Sequence, residues 1–229
     1  YFLSYLNEFN KVNVISSKLK PFKPSKSKSD LSFKSLNNLN QKKILILGAS
    51  SDIAKRLILD EIKSRCKLFF YSFRINFNKP VISKNEKNRL KKQILKINPN
   101  FIFYLSSPKI YYGEKKNKML FRYYKIMYVD YFKNILKIIH DNKIQTKIFY
   151  PSTIYLNNKN KYKRLECYLM AKAKGEEICE LKVNRKLVSF FRIPQLISRS
   201  NYNMLGFYEG QNLKIVDKYL DKFFKKATY

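Results

Sequence analysis

Apolar residues along this chain follow two habits. In one they form short, nearly unbroken runs: "KILILG" at 43–48, "KLFFYSF" at 67–73, "NFIFYLSS" at 100–107, "KIFYPST" at 147–153 and "LVSFFRIP" at 187–194. In the other they recur every three or four residues, as at Ile53, Leu57, Ile58 and Ile62, and again over 84–97, 123–143, 167–183 and 214–226. Short runs bounded by turn residues predict buried strands, and 3.6-residue spacing predicts helices with one apolar face. Strands that are apolar throughout need cover on both sides, and their alternation with helices implies parallel pairing. The pattern therefore predicts an α/β fold, a doubly wound parallel sheet with helices on both faces.

The first 41 residues break this rhythm. "VISSKLKPFKPSKSKSDLSFKSLNNLN" (14–40) carries two prolines and many Ser, Lys and Asn, with loose alternation at Val14, Leu19, Phe22, Leu31 and Phe33. That predicts one or two irregular strands or a linker. Residues 1–41 are expected to be an N-terminal extension or the end of an upstream domain. Residues 42–229 are expected to form the main domain, with a short C-terminal region.

Composition narrows the class. With 229 residues, 45% hydrophobic and 16% aromatic, the chain has enough apolar material for a substantial core. No run reaches the ~18 apolar residues of a membrane helix, so a soluble, cytoplasmic protein is expected. Cys66, Cys167 and Cys179 form no Cys-x-x-Cys pair, and His140 is the one histidine. Neither a disulfide framework nor a metal site is indicated. The formal charge of +32 suggests nucleic acid at first. However, only nine of the 48 basic residues are Arg, and Lys is spread over the chain together with abundant Asn, Ile, Tyr and Phe. Those five are the residues of A/T-rich codons, so composition bias explains the charge more simply than a binding surface does. Nonspecific attraction of polyanions at low salt is expected.

Three stretches carry chemistry. In "KKILILGASSDIAKRLILDEIK" (42–63) a strand ends at Gly48, where the chain must turn sharply. Ala49, Ser50 and Ser51 are small enough to let backbone approach a phosphate, and Ser51 or Asp52 is placed to cap the next helix. A strand-to-helix turn with no ligand would look the same. In "YLMAK" Tyr168 and Lys172 lie four apart on a predicted helix and so share a face. An ammonium beside a phenol stabilises the phenolate, which suits Tyr168 to proton exchange with a carbonyl or alcohol. Earlier in the chain, "YPST" ends a strand with the hydroxyls of Ser152 and Thr153, on the sheet edge where Gly48 also opens.

Taken in order, these segments resemble the short-chain dehydrogenase/reductase superfamily, and within it the extended branch of NAD(P)-dependent sugar-nucleotide epimerases and dehydratases. "ILILGASSDIA" is similar to the cofactor turn, including Ile53, and "NPNFIFYLSSP", with Leu105 and Ser106, to the strand and loop beside the adenine ribose. "YYKIMYVDYFKNILKIIHDNKIQTKIFYPSTIY" resembles the helix and strand leading to the catalytic hydroxyl, "YLMAKAKGEE" the Tyr-Lys helix, and "VSFFRIP" the strand whose loop from Pro194 flanks the nicotinamide. The resemblance spans roughly residues 42 to 200 and implies a Rossmann-like fold.

It also implies roles. Tyr168 would be the general acid/base, Lys172 would hold the nicotinamide ribose and tune Tyr168, and Ser152 or Thr153 would bond the reacting oxygen. The leading expectation is an epimerase, dehydratase or reductase that transfers hydride at a carbonyl or alcohol carbon of a small molecule, a nucleotide-activated sugar, with reduction of a small carbonyl compound as the alternative. The long helices would pack against their copies in a homodimer. Three departures stand out: one glycine in the turn where the family pattern has three, Met127 where the family often has Asn, and a chain that ends soon after Pro194. The short ending favours reduction of a small carbonyl compound. Met127 and the charge favour a noncatalytic dinucleotide- or RNA-binding module.

For the cofactor, an acidic residue after the second strand would favour NAD. "FYSFRIN" places Ser72 and Arg74 there, which accommodates a 2′-phosphate, so NADP is expected ahead of NAD. Arg74 as a solvated loop residue fits equally well.

Overall fold

Six parallel strands make one sheet in the computed structural model, which describes residues 14–15, 30–49, 51–57, 60–72, 75, 77, 80–108, 110, 117–196 and 214–226. In chain order the elements are β1 (Val14–Ile15), α1 (Phe33–Asn38), β2 (Lys43–Leu47), α2 (Asp52–Leu57), α3 (Asp60–Lys63), β3 (Lys67–Tyr71), α4 (Lys84–Ile97) and β4 (Phe101–Tyr104). A long helical segment follows, made of α5 (Lys118–Lys125), a π-helical turn (Ile126–Asp130) and α6 (Tyr131–Asp141). Then come β5 (Lys147–Thr153), a 3-10 segment (Ile154–Leu165), α7 (Glu166–Glu180), β6 (Val188–Ile193) and α8 (Ile215–Lys226).

The strand order is β1-β3-β2-β4-β5-β6. From β2 the chain moves to β3 on one side, then returns to β4 on the other, so the winding reverses between β2 and β4. In open α/β sheets ligands sit in the crevice beyond the strand ends at such a reversal. The edge beside β3 is taken by β1, which precedes β2 in the chain and pairs Val14 with Phe70 and Ile15 with Tyr71.

Helices cover both faces, as the unbroken apolar strands require. One core holds Ile44 and Ile46 of β2, Phe101 and Phe103 of β4 and Phe149 of β5, under Val216, Leu220, Phe223 and Phe224 of α8. The other holds Leu45, Leu47, Ile102, Tyr104, Ile148 and Tyr150, under Leu90 and Ile94 of α4, Ile135 and Ile139 of α6 and Ile178 of α7. Neighbouring strand residues fall in opposite cores, following the two-residue period of a pleated strand. This is a Rossmann-like α/β fold.

Of the irregular strands expected before β2, one is present at Val14–Ile15, but the stretch around Leu31 and Phe33 departs from a strand. Residues 33–38 are helical, started by Ser32, whose hydroxyl accepts from Ser35 N. Leu31, Leu36 and Leu39 are buried in the first core. Asp221 of α8 accepts from Ser32 N at 2.8 Å and from the hydroxyls of Ser32 and Ser35. Arg56 of α2 pairs with Asp217 of α8, Nε donating to Oδ1 at 2.8 Å, and both side chains are almost fully buried. The expected third strand, 100–107, stops at Tyr104. The expected helix at 123–143 begins at Lys118, where Asn117 caps it by accepting from Met119 N and Leu120 N. No helix among the described residues is long and apolar enough to cross a membrane.

Candidate active site

The turn after β2 is held by contacts of its own. Gly48 has φ +92°, and a Cβ there would stand 2.5 Å from Ser106 N and 2.6 Å from the Leu105 carbonyl carbon. Leu105 N donates to Leu47 O at 2.7 Å, and Gly48 N to Tyr71 O at 3.0 Å. The glycine is therefore required both by its backbone conformation and by the close approach of the β4 end. Its missing side chain leaves room for backbone of this chain. Ser51, of the two cap candidates, accepts from Ala54 N at 3.1 Å and so starts α2. Ile53 is half-buried against the first core. Ser50, Arg74 and the side chain of Asp52 lie outside the described residues, while Ser72 is half-buried just past β3.

At the ends of β4 and β5 two buried hydroxyls lack partners. Ser106 and Ser152 are 7% and 5% exposed, and neither Oγ makes a hydrogen bond. A buried hydroxyl without a partner costs about 1–3 kcal/mol in desolvation, and such a group at a strand end fits a ligand that supplies the missing bond. Thr153 differs: its Oγ1 accepts from Tyr155 N at 3.4 Å and begins the 3-10 segment. By strand alternation Ser152 shares the face of Tyr150, which α7 covers, and Thr153 the face of Phe149.

Tyr168 and Lys172 lie one turn apart on α7 and are both buried. The Lys172 ammonium donates to Pro151 O at 2.6 Å, immediately before Ser152. Nζ lies 5.9 Å from the Tyr168 ring centre but only 3.9 Å from that of Tyr128. Burial pushes the Lys172 amine down to about 7, partly opposed by Cys179 and Glu176. Tyr168 meets Tyr124 and Tyr128 edge-on at 5.9 and 5.7 Å, within a cluster that includes Leu120, Met127, Leu156 and Leu165.

No motif in the sequence marks Tyr128 or the tyrosines that hold its backbone. The π turn widens the spacing to five residues, and Lys125 and Asp130 accordingly pair at 3.0 Å. Tyr104 OH donates to Met127 O and Tyr150 OH to Tyr128 O, the latter at 3.0 Å. These two rings stack at 5.8 Å from adjacent strands. In a chain with 18 tyrosines no spacing rule separates these from ordinary core residues. Across the site the 3-10 segment is tied to β6: Tyr155 OH donates to Gln195 Oε1, and Arg192 bonds Asn157 at 2.6 Å and Glu176 at 2.6 Å. Pro194 is half-buried beside this tie.

The fold is similar to those of solved short-chain dehydrogenases. One from Shigella flexneri superposes with a TM-score of 0.63 at 8% identity, covering 85% of this chain and 94% of that one. A short chain dehydrogenase from Escherichia coli CFT073, complexed with NADPH, gives a TM-score of 0.58 at 8% identity over 71% and 80% of the two chains. NADH-dependent reductase A1-R′, complexed with NAD, gives 0.54 at 11% identity over 82% and 90%. At these identities the likeness is one of fold. No family model matches the sequence, and no curated protein matches it.

Proposed function

We propose that this protein is an NAD(P)-dependent oxidoreductase of the short-chain dehydrogenase type, acting at the carbonyl or alcohol carbon of a small molecule. The observation that carries the reading is the arrangement at the end of β5. Lys172 reaches the carbonyl just before Ser152, the Ser152 hydroxyl is buried without a partner, and Tyr168 lies one helical turn from Lys172.

In this reading Tyr168 exchanges a proton with the reacting oxygen. Ser152 hydrogen-bonds that oxygen, and Thr153 shapes the loop that follows. An ammonium has three donors; one of those on Lys172 is directed to Pro151 O, and the others serve the cofactor ribose. Ser106, at the reversal between β2 and β4, bonds the cofactor beside Gly48. When bound, the nicotinamide supplies or accepts the hydride. The cofactors held by the similar structures, NADPH in one and NAD in another, support a dinucleotide of this kind. Ser72 and Arg74 after β3 favour NADP. A nucleotide sugar is the second substrate class, resting on the order of the segments that resemble the extended branch.

Calorimetric titration with NADPH and NADH at near-physiological salt tests the reading. Saturable one-to-one binding, weakened at least about tenfold in Lys172→Met, is expected. A panel of small carbonyl compounds and nucleotide sugars then tests turnover, which should fall about 10²- to 10⁴-fold in Tyr168→Phe. Substitution at Gly48 is a poor control, because any side chain there strikes the β4 end. Absence of binding by either cofactor would overturn the enzyme reading in favour of a noncatalytic module.

A further inference from the structure

We propose that Tyr128 is a positioning residue for Lys172: the face of its ring holds the lysine ammonium in place near Tyr168. This deepens the functional reading above and rests on it for the link to catalysis. The geometry stands by itself. Lys172 Nζ lies 3.9 Å from the Tyr128 ring centre, against 5.3 Å for Tyr150 and 5.9 Å for Tyr168. A cation over an aromatic face is attracted by the ring quadrupole, and more strongly where water is excluded. Here Tyr128 and Lys172 are 1% and 5% exposed.

Tyr128 is held at its hydroxyl and at its backbone. Its hydroxyl shares a 2.6 Å hydrogen bond with Ser107 Oγ, just past the end of β4. Its carbonyl accepts from Tyr150 OH of β5 at 3.0 Å, and the preceding carbonyl, of Met127, accepts from Tyr104 OH of β4. The π turn thus presents the face of residue 128 to Lys172, and two strands hold the turn by their phenols. Because Nζ also donates to Pro151 O, the ammonium is fixed between a carbonyl dipole and a ring face. The charged or titratable groups around it are Tyr168, Glu176 and Cys179 on its own helix, Tyr150 on β5 and Tyr128 on the π turn. Glu176 is itself paired with Arg192 of β6. Burial opposes the charge and pushes the amine down, and the ring face works against that penalty by favouring the protonated form.

The test compares two near-isosteric rings, Tyr128→Phe and Tyr128→3,4,5-trifluorophenylalanine, since fluorination drains the negative face without removing volume. The Lys172 titration is followed by NMR of protein labelled at lysine 13Cε, assigned with Lys172→Met. Far-UV circular dichroism confirms equal folding. Tyr128→Phe is expected to keep the wild-type midpoint, and the fluorinated ring to lower it by about half a unit to one and a half units. Equal midpoints in the two variants would overturn the proposal: if neither moves from the wild type, the ring face does not hold the charge, and if both move alike, the effect belongs to the Ser107 bond. NADPH and NADH titration of the same samples separates the two ideas. A midpoint shift without cofactor binding would leave Tyr128 holding Lys172 and remove the catalytic meaning of the site. With binding, the pH limb of turnover should move with the NMR midpoint.

Discussion

The Tyr150 hydroxyl donates to the Tyr128 carbonyl at 3.0 Å because residue 175 has no side chain. A Cβ on Gly175 would overlap the Tyr150 hydroxyl and come within 3.1 Å of the Tyr128 carbonyl oxygen. One glycine on α7 therefore permits the bond by which β5 holds the π turn.

Gly175→Ala sets two effects against each other. Alanine favours a helix by about 1 kcal/mol, whereas overpacking costs about 1–3 kcal/mol and a lost buried hydrogen bond about 1–3 more. A net loss of about 1–5 kcal/mol is expected in urea unfolding. Adding Tyr150→Phe removes the nearest colliding atom and leaves Cζ at 2.8 Å, so the double variant should lose less than the sum of the singles without full recovery. Strict additivity would show that the glycine and the hydroxyl are not coupled.

Ser152 and Thr153 should separate chemistry from stability. Ser152→Ala removes a buried hydroxyl without a partner and is expected to leave the apo protein as stable or more stable, by up to about 1–3 kcal/mol, while turnover falls about 10²-fold or more. Thr153→Ala removes a cap on Tyr155 N and should cost about 1 kcal/mol, with a smaller loss of turnover. The reverse assignment would make Thr153 the substrate-bonding hydroxyl.

Two ion pairs on α8 differ in burial and so in expected worth. Asp217→Asn removes the negative charge that faces the buried Arg56 guanidinium, at a cost of about 3–5 kcal/mol. Lys225→Ala, which breaks the half-exposed pair with Asp221 at 2.6 Å, should cost less than about 1 kcal/mol. Similar losses for both in chemical denaturation would mean that water or another group reaches Arg56.

Lys172 makes stability depend on pH with an unusual sign. Its folded value is lowered to about 7, while an unfolded lysine titrates near 10.4. Between those values the unfolded chain binds the extra proton, so stability rises with pH, at most about tenfold in the folding constant per unit. Cys66, raised to about 12 by burial, keeps its proton when folded and loses it when unfolded, so it lowers stability above about pH 9. The Lys172 rise is therefore expected between pH 7 and 9 in the apo protein, and should vanish in Lys172→Met. An equal slope in both proteins would show that Lys172 stays charged when folded.

Much of the architecture was legible in the chain. Five strand runs and the helices between them follow from apolar periodicity, since a strand covered on both faces leaves no room for polar side chains. The pairing of Tyr168 with Lys172 is likewise local, because four residues make about one helical turn. The segment 31–39 was less legible: its Leu spacing is short, and the helix is set by Ser32 and by Asp221, which is far away in sequence.

What the sequence determined by itself was the α/β alternation, the turn at Gly48 and a Tyr-Lys helix following a strand that ends in Ser-Thr. The tertiary structure alone decided that Lys172 sits on the face of Tyr128, that Ser152 and not Thr153 lacks a partner, and that Gly48 and Gly175 make room for Ser106 and Tyr150. The division has a physical cause. Periodicity records which residues leave water, a property each segment carries alone, whereas partnership between buried groups depends on the register of strands and helices distant in the chain.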